Sequence, residues 1–406
     1  MAGTAGRPLV KANKTTLSSM KLLVLSCLFL SPIASGWAQQ APMSMSGPTT
    51  IGEPCGQCRQ IDAMVGGFAR SPMGSLTVGV ISGDKLVWTK SYGNADSKMS
   101  RTANQDTVYR IGSITKMFTA TMLEQLLEAG KVELTDPVEK YFPDVNRVQK
   151  RYKDAPPITL LQLATHTSGL SREPDNTATY VTGEPEAWKE TLIAALPHVH
   201  YESKPGKVYS YSNIGYAVLG AALEQAAGRP YLEYLPQHIF MPLGMTHTSL
   251  VLTPEVQLHL AKGYERTPIG IPSSAESDLE NRTGRGYKVP NGAIYTTVGD
   301  LAKFASFLMG KGPADVLAPS RLLHYQDQYV VPTGEPSVGG YGLGIMLIRK
   351  RRYIAEGHTG AVSGFSAALY MNRAAGVAVV MLSSAGGNGA VNVDELALRA
   401  LDALSK

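Results

Sequence analysis

Arg110-Ile111-Gly112-Ser113-Ile114-Thr115-Lys116 marks the point where the pattern of this chain changes. Before it, Ser75–Ser82 and Lys85–Tyr92 alternate and are rich in β-branched residues, with Gly83–Asp84 as a two-residue turn between them. They read as a β-hairpin. After it, Met117, Phe118, Met122, Leu123, Leu126 and Leu127 fall at helical spacing, and Gly130 stands as the residue that ends the run. Ser113 is thus expected to open a helix, with Lys116 on its face three residues on. A helix start also offers unpaired backbone N–H groups and the positive end of the dipole, both favourable to an oxyanion. Gly112 is expected to let a substrate come close to the backbone.

Helical spacing recurs in Ile61–Phe68, Leu160–Ala164, Ile214–Ala226 and Leu301–Leu308. Strand patterns return in Arg352–Glu356, Phe365–Met371 and Gly376–Ser383, and Val393–Leu404 is an amphipathic helix. Strands at both ends with helices between predict an α+β fold. One antiparallel sheet is built from both chain ends and flanked by helices, with a mainly helical region inserted over about 113–290.

Ser-x-x-Lys alone says little, because it occurs three times. Ser18–Lys21 lies near the start of the chain, and Ser82–Lys85 straddles the hairpin turn, where the two side chains are not expected to meet. Tyr-x-Asn also occurs three times. Tyr92–Asn94 and Tyr370–Asn372 sit at strand ends, where a tyrosine usually packs and an asparagine usually turns. Tyr211-Ser212-Asn213 instead follows Pro205-Gly206 and precedes a helix, in a loop that can serve a site. An ammonium beside Tyr211 favours its phenolate, which could act as a general base. His358-Thr359-Gly360 follows the expected strand Arg352–Glu356, where an extended substrate could pair with the backbone.

The chain has 406 residues, 44% of them apolar and 17% charged, a globular composition. Its formal charge of +5 is misleading, since Arg7, Lys11, Lys14 and Lys21 all precede residue 39 and no acid does. The remainder is nearly neutral, so charge gives no argument for nucleic acid or a membrane surface. Residues 1–38 read as a signal peptide: basic residues, the apolar run Leu22–Leu30, then small residues ending at Ala38. The run is too short to span a bilayer. The expected order is signal peptide 1–38, flexible spacer 39–54 and hydrolase domain 55–406, in a periplasmic or secreted protein with no integral membrane segment after signal removal. Cys55 and Cys58 read as a small local disulfide or two free thiols, and without a second pair they do not suggest zinc. His198-Val199-His200 lacks neighbouring ligands and reads as a surface pair. A Ser–His–Asp triad through His166 or His358 lacks the Gly-x-Ser-x-Gly turn.

Taken in order, Ser113-Ile114-Thr115-Lys116, Tyr211-Ser212-Asn213 and His358-Thr359-Gly360 make the chain resemble the serine β-lactamase and D-alanyl-D-alanine carboxypeptidase superfamily, on its class C side. The likeness spans about residues 59–404 and extends to Leu134-Thr135-Asp136-Pro137, His166-Thr167-Ser168-Gly169 and Pro242-Leu243-Gly244-Met245. It implies that Ser113 is the nucleophile and that Lys116 and Tyr211 carry protons. It makes Asn213 a contact for the substrate amide and gives His358, Thr359 and Gly360 to substrate binding. The Ala361 N–H would complete an oxyanion hole with that of Ser113. No metal or organic cofactor is implied. Class C β-lactamases typically carry Lys where this chain has His358, and a neutral imidazole attracts a carboxylate less. The set is more similar to secreted D-alanyl-D-alanine carboxypeptidases, family VIII carboxylesterases and D-amino-acid peptidases. The expectation is an exported serine hydrolase that forms an acyl-enzyme with D-Ala-D-Ala peptides, β-lactams or small esters. The alternative is a penicillin-binding sensor acylated without efficient turnover. Selectivity is expected in the loops around 170–205 and 265–290.

Overall fold

Strands from the two ends of the chain meet in one eight-stranded antiparallel sheet. This computed structural model describes residues 56–66, 74–96, 98–99, 101–149, 152, 154–267, 271–322, 329–335, 338–386 and 392–406. The expected signal peptide, the spacer and Cys55 lie outside the described residues. The strands are β1 (Ser75–Ser82), β2 (Lys85–Asp96), β3 (Arg101–Thr102), β4 (Gly340–Tyr341), β5 (Met346–Arg349), β6 (Ile354–Val362), β7 (Phe365–Asn372) and β8 (Val377–Ser383). They lie in the order β3-β2-β1-β8-β7-β6-β5-β4. The seam between chain ends is β1 against β8, from Leu76↔Ser383 to Ser82↔Val377.

The helices that frame the sheet and the site are α1 (Gly56–Val65), α2 (Thr115–Glu128), α3 (Leu160–Ala164), α4 (Asn213–Ala227), α5 (Ala275–Thr283), α6 (Val298–Ser306) and α7 (Val393–Leu404). Alternation along β8 sends Val379 and Met381 to one face, with Ile61 of α1 and Leu401 of α7. Val380 and Leu382 go to the other, with Phe118 of α2 and Leu219 of α4. Both faces are therefore covered, which is why β8 is a nearly continuous apolar run. Each large apolar side chain so buried contributes about 1.5–3 kcal/mol. Two tyrosines tie the sheet to its terminal helices: Tyr92 OH donates to Asp62 at 2.6 Å and Tyr370 OH to Asp394 at 2.7 Å. That use explains two of the three Tyr-x-Asn matches. On the opposite face α2 is central, with every residue from Thr115 to Glu124 buried and Phe118 stacked 3.7 Å from Phe304 of α6.

Several expectations change. Helix α1 begins at Gly56 and takes in Cys58, which is buried and disulfide-bonded. Ser82 and Lys85 are backbone register partners across the hairpin, and both are exposed at its outer end. The strand expected over Arg352–Glu356 runs instead over Ile354–Val362, and His358-Thr359-Gly360 lies inside it. Glycine weakens strand propensity, but Gly357 and Gly360 mark close backbone approaches. A Cβ on Gly357 would fall 2.0 Å from Leu369 O, and one on Gly360 1.8 Å from Ile111 O. The mainly helical middle also holds two short ladders, Tyr109–Arg110 with Tyr295–Thr296 and Glu265–Arg266 with Pro272–Ser273. Among the described residues no helix is long and apolar enough to cross a membrane.

Candidate active site

Ser113 sits in a single 3₁₀ turn, Gly112–Ile114, that runs straight into α2. The turn is fixed from outside: Ile111 N–H donates to Ile294 O at 3.1 Å, and Ile294 N–H donates to Thr115 Oγ1 at 3.3 Å. Lys116 is wholly buried. Its Nζ lies 3.1 Å from Ser113 Oγ, 2.7 Å from Asn213 Oδ1 and 3.2 Å from Asn291 O. Burial pushes the Lys116 ammonium well below its ordinary range. Glu173 opposes this, and Arg172, Lys288 and Arg285 add to the lowering. In its neutral form, which burial favours, the amine has two N–H groups and one lone pair. The Asn213 and Asn291 oxygens can only accept, so they take the two N–H groups. The lone pair is left facing the Ser113 hydroxyl.

Tyr211 immediately precedes α4, whose N-cap Ser212 accepts from Gly215 N–H at 2.9 Å. His166 brackets the tyrosine. Its carbonyl accepts from Ser210 N–H at 2.8 Å, and its Nδ1 accepts from Ser212 N–H at 3.1 Å. Because Nδ1 accepts, the ring proton is on Nε2. The imidazole packs 4.1 Å from the Tyr211 ring, and His166 holds a left-handed backbone, φ +57°. Burial keeps His166 neutral. Burial also pushes the Tyr211 phenol up, partly offset by its hydrogen bond with Ser113 and by Arg172. Burial works against the expected phenolate beside an ammonium, favouring the protonated phenol and the neutral amine.

Strand β6 completes the arrangement. Gly112, at φ +50°, has Ala361 against it; a Cβ there would lie 2.9 Å from Ala361 N. Its freedom therefore serves backbone packing rather than substrate approach. Gly360 does the same from the other side, placing β6 against Ile111–Ser113. A cleft of about 380 Å³ opens here, lined among others by Ser113, Tyr211, Asn213, His358, Thr359 and Ala361. Lys116 and Gly360 do not line it. His358 is buried, with Tyr341 OH 3.0 Å from Nε2 and the Thr359 carbonyl against Nδ1. Nδ1–H therefore donates to Thr359, and Nε2 accepts from Tyr341. Burial, then Lys116, lowers the His358 pKa to about 3 against the opposing Thr359 carbonyl.

Glu173, Asn291, His166, Tyr341 and Arg172 were not given site roles by sequence reasoning. Glu173 accepts from Asn213 Nδ2 at 2.7 Å, from Lys288 Nζ at 3.1 Å and from the Tyr287 hydroxyl. Asn291 Nδ2 donates to Asn213 O at 3.1 Å. Only His166 stood in a segment quoted for its family likeness. The cleft loops near 172 and 288 were expected; Glu335, Val338 and Met346 were not. Among the described residues, no group of three or more His, Cys, Asp or Glu could hold a metal. His200 of the histidine pair lies 3.7 Å from Asp175.

The family described as Beta-lactamase matches residues 61–404. The D-alanyl-D-alanine-carboxypeptidase/endopeptidase AmpH of Escherichia coli (strain K12) is 32% identical over 243 residues, 58% of this chain and 58% of that protein. The chain thus matches less than two thirds of that relative's length. The octameric penicillin-binding protein homologue from Pyrococcus abyssi superposes with a TM-score of 0.70 at 24% identity, covering 86% of this chain and 77% of its own. The D-amino acid amidase from Ochrobactrum anthropi SV3, complexed with D-phenylalanine, gives 0.71 at 22% identity, covering 86% and 98%. At these identities the solved structures establish a shared fold.

Proposed function

The chain belongs to the Beta-lactamase family, and on that footing we propose that it is an exported serine hydrolase that forms an acyl-enzyme on Ser113. The observation that carries this reading is the buried Lys116 Nζ 3.1 Å from Ser113 Oγ, held there by Asn213 Oδ1 and the Asn291 carbonyl. Ser113 Oγ attacks the substrate carbonyl carbon as its proton passes to Lys116 Nζ. The oxyanion lies between the backbone N–H groups of Ser113 and Ala361. The carbon–leaving-group bond breaks as Tyr211 gives its proton to the departing atom and recovers one from Lys116. Water then attacks the acyl carbon, gives a proton back through the same groups, and releases Ser113. Asn213 and Thr359 border the space for the acyl chain, and His358 fixes Thr359 through the Nδ1 hydrogen bond.

The substrates are D-Ala-D-Ala peptides, β-lactams or small esters. The leader in residues 1–38 supports a periplasmic or secreted location. The test is steady-state hydrolysis of a chromogenic cephalosporin, a short-chain p-nitrophenyl ester and a D-Ala-D-Ala peptide, each beside Ser113→Ala. Turnover lost in the variant supports the reading, and the best substrate names the activity. Equal rates for both proteins on all three overturn it. Stable β-lactam labelling without turnover would select the sensor.

A further inference from the structure

The cleft is lined by several basic side chains, and most are committed. Lys288 gives its ammonium to Glu173 at 3.1 Å. Lys116 is buried and His358 is neutral, with both ring nitrogens engaged. Arg172 is different. Its backbone is fixed, because its carbonyl accepts from Asn213 N–H at 2.9 Å and from Ile214 N–H at 3.3 Å, at the start of α4. Its side chain is exposed and lies over the Tyr211 ring, 4.8 Å from the centroid. The adjacent Glu173 carboxylate is spent on Asn213, Tyr287 and Lys288. Glu335 also lines the cleft, but among the described residues no carboxylate forms an ion pair with Arg172.

We propose that Arg172 binds a carboxylate on the leaving-group side of the substrate, so that the enzyme prefers acyl donors whose leaving group is an amino acid with a free C-terminus. The inference rests on the acyl-enzyme reading for its sense of direction: Tyr211 protonates the leaving group, and the guanidinium lies on that tyrosine. The guanidinium carbon is held 4.8 Å from the Tyr211 ring centroid, and a guanidinium can give a carboxylate two parallel hydrogen bonds. His358, the ionisable side chain that β6 brings to the cleft, is kept uncharged at neutral pH by burial, so β6 offers a carboxylate no positive charge. Arg172 supplies that charge from α4's side of the cleft instead of from β6.

Calorimetric binding tests this without requiring turnover. The probes are an N-acylated D-Ala-D-Ala peptide and its C-terminal amide, titrated into Ser113→Ala and into Ser113→Ala/Arg172→Gln. The acid should bind about tenfold more tightly than the amide when Arg172 is present. That preference should fall below about twofold in the Gln variant, with amide binding unchanged, and return in part in Arg172→Lys. A preference that survives Arg172→Gln, or none with Arg172 present, overturns the proposal. Failure of the acyl-enzyme reading is seen elsewhere, as hydrolysis indifferent to Ser113→Ala.

Discussion

Burial makes the Lys116 ammonium give up its proton at lower pH than an exposed lysine does. Lys116 can take the Ser113 proton only when its own amine is unprotonated, and its pKa lies well below the ordinary 10.5. The active fraction therefore rises with pH through that lowered value and then levels off. We expect kcat/KM to show an acid limb, a plateau reached well below 10.5 and no further rise near 10.5; an activity that climbs toward 10.5 would mean an ordinary ammonium. His358 has a stability signature of the same sign. Its folded pKa is about 3 against an ordinary 6.5, so between those values the unfolded chain binds a proton that the folded chain refuses. Stability is fully present above 6.5 and is lost as pH falls toward 3, at up to about 1.4 kcal/mol per pH unit from this group. His358→Gln should flatten the slope of unfolding free energy between pH 6.5 and 4 by a share of that size; an unchanged slope would contradict it. Ser113 and Lys116 were legible because helical spacing places them together locally. His166 and Glu173 were not. Their roles come from contacts with Tyr211 and Asn213 on a distant stretch of chain, and no local pattern encodes such a contact.

At the scale of elements, the contact of β6 with the turn before α2 sets the geometry of the site. A methyl group on Gly360 would fall 1.8 Å from Ile111 O and 3.2 Å from Ser113 N. Either β6 or the Gly112–Ile114 turn must move, and a displacement of about 1 Å at reacting groups can cost 100-fold. Gly360→Ala should therefore lower kcat by about that factor and lower the melting temperature as well; full activity would show that the two backbones need not touch. This contact also explains why β6 was misplaced in the sequence. Gly357 and Gly360 interrupt the apolar alternation, so the strand seemed to end before His358. The continuous apolar β8, the hairpin β1–β2 and α7 were legible because their periodicity is unbroken. β4 and β5 are too short to leave a pattern.

Across the whole molecule, a buried charge cluster ties the inserted helical region to the segment leading into Ser113. Arg110 has a fully buried side chain and places its guanidinium 2.7 Å from Glu280 of α5, which also pairs with Arg285. Glu280 is held below the ordinary carboxyl range: burial raises its pKa, but Arg285 and Arg110 together outweigh that. Replacing the carboxylate leaves two guanidiniums without their shared counter-charge. Glu280→Gln should destabilise the fold by about 3–5 kcal/mol in denaturant titration; a loss below about 1 kcal/mol would mean the cluster contributes little. The closure of both chain ends into one sheet followed from strand patterns flanking a helical middle. The cluster did not, because charges in a sequence carry no mark of their partners.

The acyl-enzyme is best tested by intact mass after brief exposure to a β-lactam, followed by peptide mapping. The account predicts one acyl group per chain, on Ser113, and none in Ser113→Ala. An adduct on another residue, or the same adduct in both proteins, would contradict it.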